Sequence, residues 1–214
     1  MRPILLSKIF LIILLPLIIV LLALKLTIFD DRFYEQKFLE YGVKERINNT
    51  SSIHGEVIKF ISGESNYLPK NFNEREKSHL SDVRKIIHHF TILLYSLMLL
   101  FVILLIVSIR ITLKFNNSMG CFVGKIMFFG GTLTIVISLI LLLVINSDFS
   151  SFFSLFHKSL FEEGTYLFDP SKEIIVNLYP QQLFLDIGII ASRNIFIVSL
   201  ITALVGAFTL FREH

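Results

Sequence analysis

Long unbroken apolar runs dominate this chain. A bilayer core of roughly 30 Å needs about 20 residues of helix to cross it. Four runs reach that length, at about 9–29, 89–113, 121–145 and 194–211. Each predicts a transmembrane α-helix. Two polar segments, 30–88 and 146–193, separate the first run from the second and the third from the fourth. The expected fold class is an all-α integral membrane protein. It has four transmembrane helices and two outer loops containing short interfacial helices, and forms a single membrane domain over 1–214.

Composition agrees. The 214 residues are 54% hydrophobic and only 17% charged, with a mean hydropathy of +0.72. A water-soluble chain of this size could not cover its surface with so little charge. The net charge of +3 and pI near 9.0 do not indicate nucleic acid, because the basic residues form no single patch. They flank the apolar runs instead. Arg2 and Lys8 precede the first, Arg110, Lys114 and Lys125 surround the short turn after the second, and Arg212 closes the chain. The second long loop carries Asp148, Glu162, Glu163, Asp169, Glu173 and Asp186 against Lys158 and Lys172. By the positive-inside rule both termini are cytoplasmic and both long loops lie outside. The first run is too long for a signal peptide, and no small-x-small site follows it before Asp30, so it is expected to stay attached.

The first outer loop opens with Phe33, Tyr34, Phe38 and Tyr41 among charges, suiting a helix in the headgroup layer. Near its end, Asn73-Glu74-Arg75-Glu76 resembles a capping box, and a helix starting there is expected to run through His79 and Asp82 into the second span. In the second loop, Phe149, Phe152, Phe153, Phe156, Leu160 and Phe161 make an apolar helical face beside His157, ended by Glu162-Glu163-Gly164. Phe168-Asp169-Pro170-Ser171 reads as a turn, Tyr179-Pro180 as a stop, and Glu173-Ile174-Ile175-Val176 as a short extended segment.

Histidine leads the search for chemistry, since its pKa lies near neutrality. His54 reads as a solvated loop residue and His214 is terminal; His88 and His89 mark the mouth of the second span. His79 and His157 stand out because each sits in an amphipathic outer segment. Asp82, three residues after His79, shares its helix face and could orient the imidazole. The bland reading is ordinary polar decoration of a helix turn. No HxxxH or HExxH spacing points to a metal site. Cys121 is the single cysteine and falls on the inner side, and no GxSxG elbow occurs, so an acyl-enzyme is not expected. Gly120 and Gly124, followed by Gly130-Gly131, suit close helix packing. Arg193, near the outer end of the last span, either snorkels to phosphates or holds a substrate group.

Two stretches together carry a family resemblance. Asn71-Phe72-Asn73-Glu74-Arg75-Glu76-Lys77-Ser78-His79-Leu80-Ser81-Asp82-Val83 resembles the F-x-E-R-E-x-x-H-[ML]-x-D-V signature of the lipoprotein intramolecular transacylases. Phe156-His157-x-x-x-Phe161, then Tyr166-x-Phe168-Asp169-Pro170 and Leu178-Tyr179-Pro180, resembles that family's second outer loop. The family often places a tryptophan near the Phe-Asp-Pro turn, where this Trp-free chain has Tyr166 and Leu167.

The resemblance implies a bacterial plasma-membrane enzyme with its active site at the outer leaflet. Its partners would be diacylglyceryl-modified lipoproteins and membrane lipids, with no nucleic acid. It would move the sn-2 acyl chain of the lipid-modified N-terminal cysteine to the α-amine of that cysteine, giving a lyso-form lipoprotein. No cofactor is implied, because an ester becoming an amide runs downhill. His79, oriented by Asp82, would be the general base for the amine and His157 would stabilise the oxyanion or protonate the glycerol oxygen, with the two assignments exchangeable. Tyr166, Asp169, Asn177 and Arg193 would contact substrate. Two other classes remain from the residues alone: an interfacial metal-dependent hydrolase and a non-catalytic four-helix accessory protein.

Overall fold

The structure, a computed structural model, describes residues 2–115, 118–162 and 164–213. Two expectations therefore lie outside it, namely the terminal His214 and the part of Glu163 in ending the seventh helix. The described chain is helical: α1 (Arg2–Ile28), α2 (Asp31–Glu40), α3 (Val43–Arg46), α4 (Thr50–Ser62), α5 (Glu74–Lys114), α6 (Met119–Ser147), α7 (Phe149–Leu160), α8 (Ile174–Leu178) and α9 (Gln181–Arg212). The four long helices α1, α5, α6 and α9 are apolar and long enough to cross a membrane. Each contains one expected span. α5 begins well before its span, as the capping box implied. α9 also begins early, immediately after Pro180, whose ring suits the position before a first helical turn.

The chain divides into two compact units. The first comprises Met1–Lys25, Leu93–Leu143 and Ile189–His214. Leu11, Phe122 and Ile126 centre one buried cluster, with Phe101, Leu105 and Ile109 packed against it. Ile19, Ala23 and Ile195 centre another, with Leu15 and Leu141. Leu99, Ile103, Leu143, Leu204 and Phe208 point outward, an arrangement that only lipid solvates well. Between helices in lipid, burial of apolar surface drives little, so backbones must approach closely to gain dispersion contacts. The glycines do this. A Cβ on Gly131 would fall 2.7 Å from Ala203 N, one on Gly206 would strike the backbone at Phe128, and one on Gly130 would fall 2.8 Å from Leu15. α6 is therefore seated against α9 on one side and α1 on the other.

The second unit comprises Leu26–Ile92 and Val144–Gly188. Asp30 caps α2, accepting from the N–H groups of Arg32 and Phe33. Gly42, with φ +62°, makes the left-handed turn from α2 into α3. Tyr41 Oη donates to Asp186 at 2.5 Å and Lys37 pairs with the same carboxylate at 2.8 Å, tying α2 to the start of α9.

Three readings change here. The aromatic residues of α2 are not offered outward: Phe33, Tyr34 and Phe38 are buried. The segment read as extended is α8, a helical turn whose Ile175 N–H donates to Glu76 Oε1 at 2.8 Å, so a tertiary partner overrides the strand preference of Ile-Ile-Val. His54 is not a solvated loop residue. It lies on α4, is 2% exposed, sits 4.2 Å from the Tyr34 ring and shares a 3.0 Å hydrogen bond between Nδ1 and Tyr179 Oη. Burial lowers its pKa to about 4, against a weaker opposing pull from Asp31.

Two outcomes follow. Gly131→Leu and Gly206→Leu should each destabilise the protein by roughly 1–3 kcal/mol through forced helix separation, seen as a lower thermal midpoint in detergent. Gly55→Ala, where an added Cβ meets nothing within 4 Å, should be neutral or mildly stabilising. Second, because the folded His54 resists protonation, the unfolded chain alone gains that proton as pH falls from about 6.5 to about 4. Stability is thus lost across that window and the contribution levels off below it. The pair His54→Phe with Tyr179→Phe, which leaves neither partner unsatisfied, should show a shallower loss than wild type in urea titrations over the same pH range.

Candidate active site

The site is built on the first turns of α5. Asn73 Oδ1 accepts from Glu76 N–H at 3.0 Å, and Glu76 Oε2 accepts from Asn73 N–H at 2.7 Å, a complete capping box. Glu76 is 1% exposed, and its other oxygen takes the Ile175 N–H of α8. One buried carboxylate therefore closes two helix starts. Three residues on, one turn along the same face, is His79, also buried.

α7 brings the second histidine. Asp148 caps it through Ser151 N–H, and helical spacing turns Phe149, Phe153 and His157 to one side. The His79 and His157 rings lie 6.3 Å apart, inclined by only 16°. Phe161 at 4.6 Å and Phe168 at 5.3 Å flank His79; Phe153 at 4.1 Å and Tyr166 at 5.2 Å flank His157. Two imidazoles from distant parts of the chain thus face each other inside an aromatic enclosure.

Their protonation follows from this surround. Burial lowers the pKa of His79 to about 4; the proximity of His157 adds to that effect and Asp82 opposes it. Burial also lowers His157, against the hydrogen bond to Phe153. Both are neutral at pH 7. The tautomer of His157 is fixed by chemistry: Nδ1 lies 2.8 Å from the Phe153 carbonyl oxygen, which can only accept, so Nδ1 carries the proton and Nε2 the lone pair. His79 Nδ1 is buried with no hydrogen-bond partner among the described residues. An unpaired lone pair is the milder defect than an unpaired N–H, which favours the proton on Nε2 there.

The remaining expected residues are placed as follows. Asp82 forms an ion pair with Lys85 at 2.9 Å, and its influence on His79 is through space. Tyr166 belongs to the enclosure. Asp169 is exposed and shapes its turn, accepting from Ser171 N–H at 2.9 Å and Ser171 Oγ at 2.7 Å. Asn177 is occupied with the carbonyls of Pro170 and Glu173. Arg193 is exposed on α9, in the other unit. Among the described residues no group of three His, Cys, Asp or Glu side chains converges as a metal site.

Sequence reasoning missed the anchors beneath the site. Glu173 is buried, with its carboxylate held by Arg75 Nη1 at 2.9 Å and by the Asp169 N–H at 2.6 Å. Arg75 also donates to the carbonyls of Leu167 and Gly164. The run Asn73–Lys77 signalled a helix start, but nothing local indicated that two of its charges reach across to the second loop.

The family model for the lipoprotein intramolecular transacylase Lit matches residues 9–184. The solved structure of the membrane-integral lipoprotein intramolecular transacylase Lit from Bacillus cereus matches with a TM-score of 0.84 at 20% identity, covering 99% of this chain and 98% of that one. Two further structures of the Bacillus cereus protein, with one histidine replaced by alanine or by arginine, match with TM-scores of 0.80, again at 20% identity. They cover 99% of this chain and 96% and 94% of theirs. None of the curated proteins matches. With its family match spanning most of its length, the chain belongs to the lipoprotein intramolecular transacylase family.

Proposed function

We propose that this transacylase moves the sn-2 acyl chain of a diacylglyceryl-cysteine lipoprotein to the α-amine of the same cysteine, using His157 as proton shuttle and His79 as oxyanion donor. The observation that carries the reading is the pair of near-parallel imidazoles 6.3 Å apart, both buried and both neutral at pH 7.

The barrier has three parts. The α-amine, with a pKa of about 8, is mostly ammonium at neutral pH. Negative charge grows on the ester carbonyl oxygen, and the glycerol oxygen must leave as an alcohol. His157 Nε2, with its lone pair free, takes a proton from the amine as nitrogen bonds to the carbonyl carbon. The tetrahedral oxyanion is met by His79 Nε2–H, a donor that stays in place because burial keeps the ring neutral and the aromatic walls hold it. As the carbon–oxygen bond to glycerol breaks, His157 returns the proton to the leaving oxygen, completing the transfer with no change in its own state. Of the two assignments open from sequence, the Phe153 hydrogen bond thus favours His157 as base. Asp82 acts on His79 electrostatically. Tyr166 is assigned to the acyl ester, Asp169 and Asn177 to the loop that carries it, and Arg193 to a lipid headgroup or carbonyl.

Amine and ester already belong to one molecule, so binding need only fold the headgroup back on itself. Correct orientation in such reactions is worth about 7–11 kcal/mol. The charge distribution around the spans supports cytoplasmic termini and an active site at the outer leaflet of the bacterial plasma membrane, where lipoprotein ester groups lie.

Incubated with a synthetic diacylglyceryl lipopeptide and read by mass spectrometry, His79→Ala and His157→Ala should each make N-acyl lyso-product roughly 10²–10⁴ times more slowly than wild type. Undiminished product from both would rule the scheme out. The pH–rate profile should rise toward about 8 as the amine deprotonates, with no histidine limb above 6.5 because burial lowers both imidazoles.

A further inference from the structure

We infer that Arg75 is a positioning residue for the transfer: its guanidinium clasps the second loop against the start of α5 and so holds the aromatic wall closed over the two imidazoles. This rests on the reading of His79 and His157 given above.

The guanidinium makes four contacts, all with one short stretch of chain. Nη1 donates to Glu173 Oε1 at 2.9 Å. Nη2 donates to the Leu167 carbonyl at 2.9 Å and the Gly164 carbonyl at 3.2 Å. Its carbon lies 5.6 Å from the centre of the Phe168 ring. Between those anchor points the loop carries Tyr166 against His157 and Phe168 edge-on to His79. Arg75 itself contacts neither imidazole, so its effect travels through the wall.

The fixed fork of a guanidinium satisfies carboxylate and carbonyls at once, which a lysine's single ammonium cannot reproduce in the same geometry. Glu173 is bound to the clasp from its own side. Buried at 5% exposure, its carboxylate needs a cationic partner, and its second oxygen holds the Asp169 N–H where the turn begins. Gly164, at φ +85°, lets the chain turn sharply beside the arginine. Arg75 stands one residue before Glu76 and four before His79, so the turn of α5 that presents the imidazole also grips the loop that covers it.

A merely structural surface ion pair would change stability alone. A clasp over the imidazoles has a further consequence, because its opening admits water and relieves the desolvation that keeps both rings neutral. Among the described residues, the titratable groups facing the pair are Asp82 on α5 and Tyr166 on the loop, and Phe153, Phe156, Phe161 and Phe168 supply the aromatic surround.

The experiment compares full-length Arg75→Ala, Arg75→Lys and Glu173→Gln with wild type in detergent micelles. It measures turnover of the synthetic diacylglyceryl lipopeptide and titrates the imidazoles by NMR of histidine-labelled protein. Arg75→Ala should lower kcat about 10- to 100-fold, the size of loss that small misplacements cause, and its imidazole titrations should move up toward the ordinary histidine value near 6.5. Arg75→Lys should lie between Arg75→Ala and wild type in both measures, and Glu173→Gln should shift in the same direction. Wild-type turnover and titration in Arg75→Ala overturns the proposal, as does a slower enzyme whose titrations do not move. Failure of all three variants to fold also overturns it, assigning Arg75 to the fold. His79→Ala, run alongside, separates the two levels: if it is inactive while Arg75→Ala behaves as wild type, the clasp alone fails, and if it retains full activity the histidine chemistry fails too.

Discussion

Keeping two imidazoles neutral within an aromatic enclosure is the constraint on which the site depends. In water a histidine near neutral pH divides its time between charged and uncharged forms. Surrounded by Phe153, Phe161, Tyr166 and Phe168, the charged form loses its hydration and, among the described residues, finds no carboxylate in contact to replace it. Each ring is held ready with one lone pair and one proton. The transfer proposed above needs this of both, since a base already protonated cannot begin the reaction and an oxyanion donor must keep its N–H.

Such an enclosure must be held against the tendency of polar loops to take up water. The loops do so with carboxylates turned inward. Glu76 accepts the N–H of Asn73 and the N–H of Ile175, so two helix ends that would each need a cap share one side chain. Glu173 does the same for the Asp169 turn and Arg75. In the same unit, His54, Tyr34 and Tyr179 form a second aromatic cluster around a hydrogen bond. Burial lowers the basicity of its histidine too, and that ring lies against Tyr34, Phe38 and Tyr179 with Asp31 Oδ1 3.8 Å from its Nε2. A lowered pKa by itself therefore does not single out a site; what distinguishes the candidate site is its pair of opposed imidazoles.

How much of this could be read from the chain depends on the range of the forces involved. The four spans were legible because hydrophobic length is a property of contiguous sequence. The capping box at Asn73 and Glu76 and the turn at Asp169 were legible because they close over three or four residues. The glycines of α6 were recognised by spacing, although their partners Ala203 and Gly206 on α9 were not. What escaped was set by distant contacts. His54 looks solvated beside Gly55 and Glu56 until Tyr179 arrives from the other loop. Ile174–Val176 looks like a strand until Glu76 offers its oxygen. Asp82 looks like the natural orienter of His79, yet Lys85, equally close on the helix, pairs with it. The amphipathic setting of His79 and His157 singled them out within the chain and the likeness to the transacylases pointed to the same pair, but their 6.3 Å approach is a tertiary fact that neither pattern contains.

Transfer to an amine rather than to water is the remaining requirement, and it bears on the walls more than on the bases. A histidine base activates water as readily as an amine, and bulk water far outnumbers a single tethered amine. Hydrolysis is suppressed only if the enclosure excludes solvent while the ester and amine are together. The residues nearest the rings are aromatic rather than polar, and the hydrogen-bonding capacity of the loop is consumed internally by Arg75, Glu173, Asn177 and Ser171. Leu155, Phe156, Leu160 and Leu167, by contrast, are left exposed on the outer side of the same segment. An apolar outer surface there favours acyl chains over water, as the proposed transfer requires. Under the proposed transfer, the lipid bearing the ester would add to the seal that the aromatic walls already form around the imidazoles.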